Sequence, residues 1–203
     1  MELKERIITS TEALFCQYGI KRMTMDDIAK HLGISKKTIY LHFKDKEELV
    51  NTVVAEMLSR EDCISEENEA EAEDAVKEIF LVVTHLQDLL SKMNPMLFFD
   101  MQKYHPKTWE LFRNYRYDYV RKCIEKNLQR GIDEGLFRKE INMEIISIMR
   151  MEQVDMIFNQ VAFAPGKYNL SQVMTEITEH YLHGLCTLKG HKLINKYKQI
   201  TEE

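Results

Sequence analysis

Proline and glycine are scarce, at 3 and 7 of 203 residues. So few chain breakers exclude the many tight turns of a sandwich or barrel, and no segment alternates apolar and polar residues at strand period. The four cysteines, Cys16, Cys63, Cys123 and Cys186, form no Cys-x-x-Cys pair. That spacing argues against a zinc finger or a disulfide frame, and for free thiols in a reducing compartment. No apolar run is long enough to span a bilayer, and no charged-then-apolar leader opens the chain. A nucleophile elbow, a Gly-rich phosphate loop and a paired metal motif are all missing, so neither catalysis nor a cofactor is expected. The expectation is a soluble, cytoplasmic, all-α protein that is not an enzyme.

Charge is unevenly spread. The chain carries 28 Lys and Arg against 33 Asp and Glu, a formal charge of −5. Residues 1–50 hold nine basic and eight acidic side chains, while the remainder holds nineteen and twenty-five. A basic-leaning head on an acidic body confines attraction for a polyanion to one end. The most acidic stretch, Glu61 to Asp74, has eight acidic residues and no basic one. It reads as a solvated helix end or loop, since it lacks the turn residues of a calcium loop.

What the chain has in quantity is helical periodicity. Leu3, Ile7, Leu14, Phe15 and Tyr18 mark a first helix closed at Gly19. Thr24-Met-Asp-Asp27 resembles a capping box, opening a helix through Ile28, Ala29 and Leu32 that stops at Gly33. Ser35 caps the next, and Asp45-Lys-Glu-Glu48 opens a fourth that runs to about Arg60. Further helices are expected over 75–93, 96–101, 108–130, 142–164 (capped by Asn142) and 170–188, with a sharp turn at Pro165-Gly166. The last is read as ending at Lys189-Gly190 before a fraying tail. The count is about nine helices.

The stretch Ile34 to Lys46 organises the rest. Ile39 and Phe43, four apart, lie on one face and can anchor a short helix to a core. Lys36, Lys37, Tyr40, Leu41 and Lys44 then occupy the opposite face, with Thr38 and His42 at its edge. A helix this short is not stable alone, so its cationic, aromatic face is held out by what lies behind it. Basic side chains and hydroxyls suit a phosphate backbone and the groove edges. Helix, Gly-containing turn, helix is the helix-turn-helix pattern. The block closely resembles the DNA-binding domain of the tetracycline-repressor (TetR) family. Phe15, Gly19, Thr24, Ile28, Ala29, Gly33, Ser35, Thr38, Tyr40, His42, Phe43, Lys46 and Leu49 carry the match, which covers roughly the first 50 residues.

The resemblance implies roles. Lys36 and Lys37 sit where base edges or nearby phosphates are contacted, and Thr38, Tyr40, His42 and Lys46 match positions that hold the DNA backbone. Thr24 offers a hydroxyl and N–H to a phosphate, and Leu41 an apolar contact to a thymine methyl. Lys37 departs from the Gly or Pro of many relatives. The family's layout further implies a head over 1–50, a ligand-binding and dimerisation body over 51–190 and a tail over 191–203. In that family the last two helices of each subunit form a four-helix dimer bundle, so Ile157, Val161, Ile177, Tyr181 and Leu185 are expected at a dimer interface. Met93, Met96, Phe99, Trp109, Phe112, Met149, Gln153 and Met156 are expected to line a pocket for a small, largely apolar ligand. Arg150, Asp155 and Asn159 are further polar groups that orient a ligand or form salt bridges. His180-x-x-His183-x-x-Cys186 has helical spacing for a metal, but packing explains it better and no metal is expected. The function expected is a homodimeric repressor, released from a palindromic operator in double-stranded DNA by that ligand. The alternatives are a body that docks a protein, an activator, or, remotely, an all-α enzyme.

Overall fold

The structure, a computed structural model, describes residues 2–94, 96–158, 162–163 and 167–199, apart from the side chains of Cys63 and Phe158. Eleven α-helical segments occur among them: α1 Leu3–Tyr18, α2 Met25–Leu32, α3 Lys36–Tyr40, α4 Lys46–Glu71, α5 Ala75–Lys92, α6 Met96–Tyr104, α7 Pro106–Tyr115, α8 Arg121–Asp133, α9 Met143–Phe158, α10 Leu170–Leu185 and α11 Leu188–Tyr197. A π-helical segment, Arg116–Val120, joins α7 to α8, so the single helix expected over 108–130 is present with a π turn inside it. The all-α expectation holds, and an isolated bridge joins Phe137 to Cys186. The expected turn at Pro165-Gly166, and Val161 and Asn159, lie outside the described residues.

The chain forms two compact units, Met1–Asp62 with Lys92–Tyr115, and Cys63–Ser91 with Arg116–Glu203. In the first, α1 lays Ile7, Leu14 and Phe15 against Ile28 and Leu32 of α2, Ile39 and Phe43 around α3, and Leu49 and Val53 of α4. Leu97 and Met101 of α6 join the same core, so it draws on residues well past the motif that ends near 50. Gly33 closes α2 in the left-handed conformation at φ 67°, which lets the Ile34 amide reach the Ala29 carbonyl at 3.0 Å. The turn between the two motif helices therefore needs glycine.

The second unit has its own core, in which Ile79, Val83, Leu128, Phe137, Ile157, Met174, Leu182 and Ile194 are buried. Two sequence expectations change here. The α4 helix runs on to Glu71 through most of the acidic stretch, instead of stopping near Arg60. Cations of α8 explain this: Lys126 pairs with Glu69 at 2.6 Å, and Arg130 donates to the Ala72 carbonyl at 2.8 Å. The presumed tail is also a helix. Thr187 caps α11, Ile194 is fully buried, and the Tyr197 hydroxyl donates to the Asp74 carboxylate at 2.5 Å. Gly190, read as a stop, sits within α11 because a Cβ there would meet the Leu136 carbonyl oxygen at 2.4 Å.

The same corner gives a stability test. Gly131 accepts the amides of Leu136 and Phe137 at 2.8 and 2.9 Å, and a Cβ on it would fall 2.0 Å from the Phe137 ring. Phe137 is fully buried and has nowhere to move. Gly131→Ala is expected to destabilise the protein by roughly 1–3 kcal/mol through overpacking. In urea titration followed by circular dichroism, an unchanged midpoint would disprove this packing.

Candidate nucleic-acid interface

The surface around α3 is built from its caps outward. Thr24 and Asp27 satisfy each other: the Asp27 amide donates to the Thr24 hydroxyl oxygen at 3.2 Å, and the Asp27 carboxylate accepts the Thr24 amide at 2.9 Å and its hydroxyl at 2.6 Å. Those donors hold the Asp27 carboxyl below the usual carboxylate range. Ser35 accepts the Thr38 amide at 3.0 Å, and the two hydroxyls lie 2.8 Å apart. Asp45 accepts the Glu48 amide at 2.8 Å, which starts α4 directly after the motif.

On this frame the two faces of α3 separate as the sequence pattern requires. Ile39 is 0% and Phe43 1% exposed, whereas Tyr40 is 44% and Leu41 75% exposed. Lys36, Lys37 and Lys44 are exposed on the same side, Thr38 and His42 half-buried at its margin, and Thr24 exposed at the start of α2. An exposed tyrosine and leucine, flanked by three ammonium groups, form an amphipathic cationic ridge. Such a ridge offers charge to phosphates, with apolar and hydroxyl groups for base edges.

Two expected contact residues have partners inside the head. The Lys36 ammonium lies 2.6 Å from the carboxylate of Asp26 on α2, and that hydrogen bond raises its pKa above the ordinary lysine value. Asp26 drew no attention in the sequence, because only the fold brings it beside Lys36. Lys46 donates to the Ile20 carbonyl at 2.7 Å and is half-buried, and burial lowers its pKa. Its partner is in the loop before Thr24. The same loop is tied by the Asp100 carboxylate, which accepts the Lys21 amide at 2.8 Å. In the structure the Lys46 ammonium therefore ties the start of α4 to the loop before Thr24.

The residues expected in a ligand pocket fall in both units. In the first, Trp109 and Phe112 stack with ring centroids 5.5 Å apart, and with Met93 they pack on the core beneath the helix-turn-helix. Met96 and Phe99 are exposed there. In the second, Met149 and Met156 are exposed, and Gln153 is half-buried with its Oε1 lacking a partner. The dimer expectation needs correction. Ile157, Tyr181 and Leu185 are buried in their own unit's core and face inward, whereas Ile177, half-buried, packs against its edge. The apolar residues left uncovered on that unit are Ile145, Ile148, Met149 and Met156 of α9. The histidine motif separates: His180 is exposed, Cys186 is buried with its thiol pushed up to about 12, and His183 meets His191 at 3.2 Å. Among the described residues no three metal-binding side chains converge.

Comparison with known proteins matches this region first. Residues 7–53 match the family described as bacterial regulatory proteins, tetR family. The uncharacterized HTH-type transcriptional regulator YvaF of Bacillus subtilis (strain 168) is 33% identical over 111 residues, covering 53% of this chain and 56% of that relative. The chain thus spans little more than half the length of that relative. In fold, a protein from Saccharomonospora viridis solved in complex with choline superposes with a TM-score of 0.75 at 18% identity, over 91% of this chain and 97% of its own. The regulator FadR from Bacillus subtilis in complex with stearoyl-CoA does so at 0.67 and 19%, over 89% and 98%. The capped head, its exposed α3 ridge and the matched 7–53 segment agree: residues 7–53 form a helix-turn-helix head similar to that of the bacterial regulatory proteins of the tetR family.

Proposed function

We propose that the chain is a DNA-binding transcriptional regulator, a homodimeric repressor released from its operator by a small, largely apolar ligand. The observation that carries the reading is the separation of faces on α3. Ile39 and Phe43 are sunk in the head's core while Lys36, Lys37, Tyr40, Leu41 and Lys44 stand clear of it. This ridge enters the major groove, and Thr24 meets the flanking phosphate. Leu41, the most exposed of the five apart from the lysines, reads a thymine methyl.

One short ridge gives little specificity, and pairing two of them does. The α9 stripe of Ile145, Ile148, Met149 and Met156, 61, 39, 41 and 41% exposed, supplies the face on which a second copy docks. The expected two-fold pairing is kept, but it is placed on α9, at residues the chain leaves uncovered. A small-molecule signal is supported by the same fold being solved with choline in one protein and stearoyl-CoA in another. Ligand weakens operator binding by preferring a body conformation that DNA does not.

Fluorescence anisotropy on the DNA flanking the chain's own gene, and on a scrambled duplex, tests the interface. Tyr40→Ala weakens both, and Lys37→Ala lowers the slope of log affinity against log salt by about 1. Lys36→Ala relaxes preference at one or two base pairs, whereas Asp26→Asn, which releases Lys36, tightens both complexes. Wild-type protein with no salt-dependent affinity for either duplex would end the DNA-binding reading. For the dimer, Ile148→Glu is expected to sediment as a monomer with unchanged helicity and to lose operator binding. A dimer that survives this substitution moves the interface elsewhere.

A further inference from the structure

Arginine is seldom buried without an anion, and the second unit shows the usual arrangement several times. Arg116 pairs with Asp155 and donates to the Met151 carbonyl; Arg130 pairs with Glu78 and Glu134 and donates to the Ala72 carbonyl. Arg150 of α9 is different. It is only 6% exposed, and its Nη2 donates to the Thr178 hydroxyl at 3.0 Å. The Tyr181 ring lies 4.7 Å from the guanidinium carbon. Nη1 is buried with no acceptor, and among the described residues no carboxylate pairs with it. A guanidinium keeps its charge at any physiological pH, so burial leaves a cation whose solvation is not replaced. One helical turn further, the Gln153 side chain also holds a buried oxygen without a partner. The two lie three residues apart, on one side of the helix.

We propose that Arg150 and Gln153 form the polar end of a binding site for a small organic carboxylate with an apolar body. The inference rests on the ligand-responsive reading above and names the chemistry of the ligand. A carboxylate matches the planar fork of a guanidinium with two parallel hydrogen bonds. One guanidinium balances one negative charge, so a phosphate dianion would be left half-compensated. Tyr181 belongs to the apolar core that holds Ile157, Met174 and Leu182, which suits a hydrocarbon body. Gln153 takes a hydrogen-bond donor on the ligand where there is one.

Calorimetric titration of the full-length protein with decanoate, decanol and decyl phosphate tests this. Decanoate binds, with decanol and decyl phosphate each at least about ten-fold weaker, as loss of a charge-assisted hydrogen bond requires. Arg150→Met, close in volume but uncharged, removes the preference for decanoate over decanol and raises the melting temperature of the ligand-free protein. Arg150→Lys keeps the charge without the fork and falls between. Equal binding of decanoate and decanol, tighter binding of decyl phosphate, or no binding at all overturns the proposal. So does an Arg150→Met protein that folds only at lower temperature, since the arginine would then be structural. If decanoate binds as described yet leaves operator affinity unchanged, the site stands and the inducer reading falls.

Discussion

The head depends on two side chains that cannot be exposed. The α3 helix is five residues long, far below the length at which a helix persists alone. What holds it is burial of Ile39 and Phe43, each contributing about 1.5–3 kcal/mol on leaving water. The Ser35 cap and the left-handed Gly33 before it fix where the helix begins. Because a helical turn is rigid, anchoring one side determines the other. The exposure of Tyr40, Leu41 and the lysines follows from the core behind them. In a surface assembled this way the outer residues carry little of the fold's stability.

This arrangement was legible in the sequence because every signal was local. The caps lie three residues from the amides they satisfy, the anchors four apart, and the turn glycine sits between the two helices. Signals that failed depend on distant partners. Eight acidic residues look like a helix end until Lys126 and Arg130 arrive from α8. Gly190 looks like a stop because the Leu136 carbonyl that forbids a Cβ there is 54 positions away. The dimer residues expected on α9 and α10 follow from resemblance alone, and in the fold Ile157 and Tyr181 fill the unit's own core. Periodicity shows that a helix has two apolar faces; it does not tell which face the same chain covers.

Electrostatics of the head follow a similar division. Its formal charge is nearly balanced, so any attraction for a polyanion comes from placement more than from total. Asp27 is consumed in a cap, and Asp26 holds Lys36. Lys46 is turned to the Ile20 carbonyl, leaving Lys37 and Lys44 as the exposed ammonium groups flanking Tyr40 and Leu41. An ion pair as exposed as Lys36–Asp26 is weak and yields readily to a phosphate. The pair thus adds little to the stability of the head, and in the proposed DNA-bound state Lys36 would exchange Asp26 for a phosphate.

In the second unit the contrast between arginines is the informative feature. Arg116 and Arg130 each tie two helical segments through carboxylates and carbonyls, and both are satisfied by the fold itself. Arg150 joins α9 to α10 through one hydroxyl and one ring, with donors to spare. A methionine at that position would pack the same core without the desolvation of a charge. The Thr178 hydroxyl and the Tyr181 ring replace only part of the solvation the guanidinium loses, and the unpaired Gln153 oxygen lies one turn along the same helix. Two unsatisfied polar groups on one side of a helix, beside an apolar core, are what the proposed site for a partly polar guest requires.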